Sequence, residues 1–255
     1  GAEAGAGTSA DAAGGCDEST HFQLELLGFI RRSLTQQACI RAALYEGIVP
    51  VVVSVPPLRP MVFELLLAQL ATYTDLYDDD QSASAACTTS PILLDRCLAF
   101  SKDGAAPPSL VEPLPQLIRS ITRCVLAARA DGEGGADEGG ADEGGEDGGS
   151  GGGPLRSVLE RMRLMVDRVA LCGLEHFELH GEHVLGPKDK NGHYHHAIAS
   201  FLDATLEALL DHTLLCHVRA DDTDETGGAA DDEALCMATQ AVGACTQQAA
   251  APYGN

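Results

Sequence analysis

The chain has 255 residues and a formal charge of −22, from 16 basic and 38 acidic side chains. Its length allows one or two domains, and its apolar fraction of 45% is that of a globular chain. Aromatics make up only 4% and Trp is absent, so a core must be built from Leu, Val, Ile and Ala, which favours helices packed on helices over a β-sandwich.

The acidity is local. Residues 78–80, 131–148, 221–225 and 231–233 hold 18 of the 38 acids and no basic residue, which leaves 16 basic against 20 acidic elsewhere. The loops therefore carry the charge, the helical body is nearly neutral, and so acidic a total argues against this segment alone gripping DNA. None of the nine cysteines forms a Cys-x-x-Cys pair. Cys39, Cys97, Cys124 and Cys216 lie in apolar stretches and read as small buried hydrophobes of a reducing compartment. No transmembrane helix or signal peptide is expected, because no stretch of roughly 18 apolar residues is free of charge or proline. The initial Gly and the closing "APYGN" read as the edges of an excerpt.

Residues 1–19 are rich in Gly and Ala and are expected to be a disordered lead-in. A cap at Ser19–Thr20 opens a helix with Phe22, Leu26, Phe29, Ile30 and Leu34 near one face. Thr35-Gln36-Gln37 breaks it, a second helix places Ile40, Leu44 and Tyr45 inward, and Gly47 fits its C-cap. The prolines of "IVPVVVSVPPLRP" predict a buried connector or a broken helix. A strong helix covers 61–77, and Pro91 starts a short one in "PILLDRCLAF". The next helix begins near Pro113–Pro115, with Leu114, Leu117, Ile118, Ile121 and Val125 on one face.

Residues 131–153 are acidic, Gly-rich and expected to be disordered. Residues 154–173 form the clearest amphipathic helix, with Leu155, Val158, Leu159, Met162, Met165, Val166 and Val169 on one side. Residues 174–196 read as a loop, 197–218 as a strong helix and 233–247 as a final weaker one. The expected architecture is all-α: an irregular α-solenoid or helical-bundle array of about seven helices, interrupted by the acidic insert. Its parts are a lead-in 1–19, a first half 20–130, the insert 131–153, a second half 154–247 and a disordered tail 248–255.

The sharpest chemical signal is a histidine-rich stretch. His176, His180, His183, His193, His195 and His196 lie within 21 residues, with Cys172, Glu178 and Glu182 nearby. Imidazole suits zinc, but the spacing is not His-Glu-x-x-His, so a solvated polar loop is the reading adopted. His180, His183, His193, His195 and His196 remain the metal-ligand candidates, and a zinc module remains an alternative. Thr35-Gln36, Thr239-Gln240 and Thr246-Gln247 carry the dipeptide favoured by DNA-damage kinases, a motif short enough to occur by chance. Arg156, Arg161, Arg163 and Arg168 stripe one helix, but Glu160 and Asp167 interleave with them and predict a solvated, pair-forming face. The three lysines, Lys102, Lys188 and Lys190, fall in predicted loops. No nucleophile elbow, phosphate loop or dinucleotide fingerprint is present, so no enzyme and no cofactor is expected.

"RRSLTQQACIRAALYEG" at 31–47 resembles the Fanconi anaemia group I protein family, in which a helix ending Arg-Arg meets a Ser/Thr-Gln-Gln step and a helix closing on Leu-Tyr-Glu-Gly. "PILLDRCLAF", "VEPLPQLIRSITRC", "LRSVLERMRLM" with "LEHFELH", and "HAIASFLDATLEALLDHTLL" follow in the family's order over roughly residues 20–217. On this resemblance Arg31, Arg32, Tyr45 and Gly47 are signature positions of a structural kind. It implies the second helical domain of a nuclear scaffold in DNA interstrand cross-link repair. It further implies that the full-length protein pairs with a group D2-like protein on DNA, with the ubiquitin-acceptor lysine outside this segment. The alternative is a general α-solenoid adaptor with an unrelated protein partner.

Overall fold

Helices arise where the apolar periodicity places them, and their packing decides where they end. The structure, a computed structural model, describes residues 15–76, 90–101, 108–132, 153–179 and 190–218. Residues 1–14, most of the acidic insert, the expected helix 233–247 and the tail 248–255 lie outside the described residues, as do Lys102, His180, His183, Lys188, Thr239 and Thr246.

The elements in order are α1 (Gly15–Leu34), α2 (Ala38–Ser54), a 3₁₀ turn (Pro56–Leu58), α3 (Arg59–Tyr73), the single turn α4 (Leu94–Cys97), β1 (Leu98–Ala99), β2 (Ser109–Leu110), α5 (Leu114–Gly132), α6 (Pro154–Ala170), a second 3₁₀ turn (Leu174–Phe177) and α7 (Lys190–Val218). Among the described residues the fold is all-α apart from a two-residue antiparallel pair, Leu98 opposite Leu110 and Ala99 opposite Ser109, and an isolated bridge between Thr74 and Ile92.

α5 is the centre. Leu114, Leu117, Ile118, Ile121, Cys124 and Val125 recur every three or four residues and are fully buried. Helices α2 and α7 pack against α5 over the longest interfaces; α3 lies on α5 and α6, and α1 on α2 and α3. The amphipathic helix α6 behaves as its sequence predicts: Val158, Met162, Met165 and Val169 are buried, while Arg156 and Glu160 pair on the outside at 2.9 Å.

Several expectations are corrected. α1 starts at Gly15, ahead of the predicted cap, and its buried stripe is Leu27, Ile30 and Leu34, leaving Phe22 and Phe29 more than half exposed. Helix α2 does not stop at Gly47 but continues through Pro50 to Ser54. Burial of Ile48 and Val52 outweighs the helix-breaking tendency of Pro50, whose ring faces solvent. Ile40 points outward, and Arg41 occupies the inward position.

"PILLDRCLAF" yields one helical turn before the chain extends into β1. The prolines near 56–60 start a 3₁₀ turn and α3, where a missing N–H costs least. The predicted loop 174–196 contains a 3₁₀ turn and the first turns of α7, so Lys190, His193, His195 and His196 belong to a helix.

Candidate functional site

The most organised polar constellation is buried where α2, α3 and the entry to α5 meet. Glu112 precedes α5 by two residues, held there because its backbone N–H and that of Val111 both donate to Cys97 O at the end of α4. Its side chain is wholly inaccessible. Tyr45 Oη donates to Glu112 Oε1 at 2.7 Å, and Gln69 Nε2 donates to Oε2 at 3.1 Å. Arg41 Nε lies 3.1 Å from the same Oε2, an ion-pair contact without hydrogen-bond alignment. The Arg41 guanidinium also donates to Leu34 O at 3.3 Å and to Val111 O.

One arginine thus touches the end of α1, the β2–α5 connection and the buried carboxylate. Burial pushes the Glu112 carboxyl above its usual range, against the opposing pull of Tyr45, Arg41, Gln69 and Tyr73. The Tyr45 phenol is held well above its ordinary value, by burial first and then by the charge of Glu112. A carboxylate enclosed on all sides by donors of its own chain leaves no approach for a substrate; its chemistry is that of a clamp.

A second polar seam joins α5 to α7. Thr122 Oγ1 donates to Ile118 O at 2.9 Å and meets His212 Nδ1 at 2.9 Å. Arg129 donates to Cys216 O at 3.1 Å, and Arg119 pairs with Glu207 at 2.7 Å and Asp211 at 3.8 Å. Burial raises the thiol pKa of Cys216 and that of Cys97, and pushes Cys124 up to about 12. A nucleophilic cysteine requires the opposite shift.

The residues singled out from sequence are dispersed. Arg31 and Arg32 lie exposed in the last turn of α1, placed to favour its C-terminal dipole. The Thr35 hydroxyl donates to Arg32 O at 2.8 Å and closes that helix. Tyr45 is in the hub; Gly47 is exposed on α2 with open space around its Cβ position. His195 is buried and His196, the next residue of α7, is exposed, while His176 accepts from Gly173 N–H at 3.0 Å. Among the described residues no group of three or more His, Cys, Asp or Glu could hold a metal ion. In the arginine stripe, Arg156 pairs with Glu160 and Arg163 with Asp167. Arg161 and Arg168 instead reach Leu76 O and Asp75 O, each at 3.1 Å, and pin the chain leaving α3.

A family model described as FANCI helical domain 2 matches residues 5–227. The chain belongs to that family. The Fanconi anemia group I protein of Gallus gallus is 35% identical over 104 residues, which cover 41% of this chain and 7% of that protein. The chain therefore spans a small part of the length of this relative. Two of the segments whose wording resembles the family, 31–47 and 111–124, lie within that match. They supply Arg41, Tyr45 and Glu112, so the family-like wording converges in space on one carboxylate.

Sequence reasoning found Tyr45 and missed Arg41, Gln69 and Glu112. Two signals were present: a lone Glu between Val111 and Pro113 in an apolar run, and a lone Arg among the apolar residues of 38–45. Neither names its partner, because the pair is separated by 70 intervening positions of chain that only the fold closes.

Proposed function

We propose that this domain is a non-catalytic helical scaffold of a Fanconi anaemia group I-like protein in the nucleus. There it serves DNA interstrand cross-link repair by bracing a longer polypeptide that pairs with a group D2-like protein on DNA. The observation that carries the reading is the match of residues 5–227 to FANCI helical domain 2, within which two of the family-like segments, 31–47 and 111–124, meet at the Arg41–Glu112–Tyr45 hub. Residues that resemble the family are used to hold helices at a set angle, which is what a spacer requires. The raised thiol pKa values of Cys97, Cys124 and Cys216 and the enclosure of Glu112 support the non-catalytic part.

The test uses the full-length gene product with cross-linked DNA and the group D2-like protein of the same organism. Co-precipitation of the three is expected. Absence of any D2-like protein from the precipitate, with the full-length protein folded, would overturn the reading in favour of a general adaptor. Metal analysis covers the third reading: stoichiometric zinc that is lost when His193, His195 and His196 are replaced by Ala would mark a zinc module.

A further inference from the structure

We propose that the Arg41–Glu112 pair is a latch for α1, and that α1 leaves the body as a unit when the pair is broken. The inference rests on contacts within this chain and is independent of the family reading.

Arg41 lies on the first turn of α2, just past the joint Thr35–Gln37, and its guanidinium faces both ways along the chain. It holds Leu34 O, the last residue of α1, at 3.3 Å. It also holds Val111 O and, at 3.1 Å, Glu112 Oε2 at the entry to α5. The end of a peripheral helix is thereby tied to the start of the central one. At the joint, the Thr35 and Gln36 side chains bond back to Arg32 O within α1, and the Gln37 side chain makes no capping bond to α2.

α1 packs at the periphery, with no large interface on the central α5. It rests chiefly on α2 and α3, and Phe22, Leu24 and Phe29 stay exposed along it. Between α1 and α2 runs an open apolar groove of about 310 Å³, lined by Leu26, Phe29, Ile30, Ile40, Leu44 and Val51 among others. Side chains along such a groove forgo the dispersion contacts that fill the α2–α5 and α5–α7 seams. Leu27, Ile30 and Leu34, with the latch, are what keeps α1 in place. Once undocked, α1 loses the tertiary packing that supplies most of a helix's stability in a protein, and with it its amide protection.

Hydrogen exchange read by mass spectrometry on the whole 255-residue chain tests this, with the Arg41→Met variant and the Arg41→Met/Glu112→Leu double variant. The double variant removes both charges together and so strands neither in the interior. In it, exchange across 15–34 is expected to quicken about tenfold or more while α5 and α7 stay within about twofold of wild type. The single variant is expected to show the same release of α1 on top of a general loss. The proposal is overturned if the double variant leaves 15–34 as protected as wild type, or if α1, α5 and α7 quicken together.

Discussion

The carboxylate of Glu112 has no contact with water, yet both its oxygens are engaged: Tyr45 on one, Gln69 and Arg41 on the other. Removing one member of a buried ion pair leaves its partner uncompensated. Glu112→Leu is therefore expected to cost about 3–5 kcal/mol in urea denaturation, more than the double variant costs. Tyr45→Phe removes one hydrogen bond to a charged acceptor and is expected to cost about 1.5–3 kcal/mol by the same measurement. The pH response has a definite sign. Burial raises the Glu112 carboxyl above its ordinary value of 4.5, so folding takes up a proton there. Its contribution to stability is full below that ordinary value and is lost as pH rises through the folded value. Denaturation of wild type and Glu112→Gln across this window should show wild type losing ground to the variant as pH rises.

At the scale of elements, α2 is the instructive one. Its sequence contains two residues that end helices, Gly47 and Pro50, and it passes through both. Local propensity was overridden because Ile48 and Val52 pack against the body on the face opposite Pro50. Gly47 has a helical position, and nothing lies within 4 Å of the point a Cβ would occupy, so no crowding requires glycine there. Gly47→Ala is expected to stabilise the chain by about 0.5–1 kcal/mol, measured by thermal or urea unfolding. The same logic explains α4. Pro91 and the apolar run of "PILLDRCLAF" predict a short helix, but backbone pairing of Leu98 and Ala99 with β2 ends it after one turn and delivers Glu112 to the hub.

At the scale of the molecule, the cysteines report on how tightly the body is closed. Among the described residues Cys97, Cys124, Cys172 and Cys216 are buried and Cys39 is exposed. Alkylation of the native chain at neutral pH is expected to modify Cys39 and spare these four buried cysteines until denaturant is added, with mapped peptides as the readout. Labelling of Cys124, which lies on the buried face of α5, at the rate of Cys39 would contradict the packing described.

What the sequence determined by itself was class and periodicity. Poverty in aromatics, the recurrence of Leu and Ile every three or four residues in α5, and the amphipathic stripe of α6 each require only local spacing, which is set by the helix repeat. The resemblance to FANCI helical domain 2 was legible for the same reason, as runs of adjacent residues. Tertiary structure alone decided that Arg41 turns inward in place of Ile40, that α2 survives its proline, and that Glu112 finds Arg41, Tyr45 and Gln69. Those outcomes depend on burial and charge pairing between segments far apart in the chain, whose free energies are comparable to or larger than the local preferences they overrule.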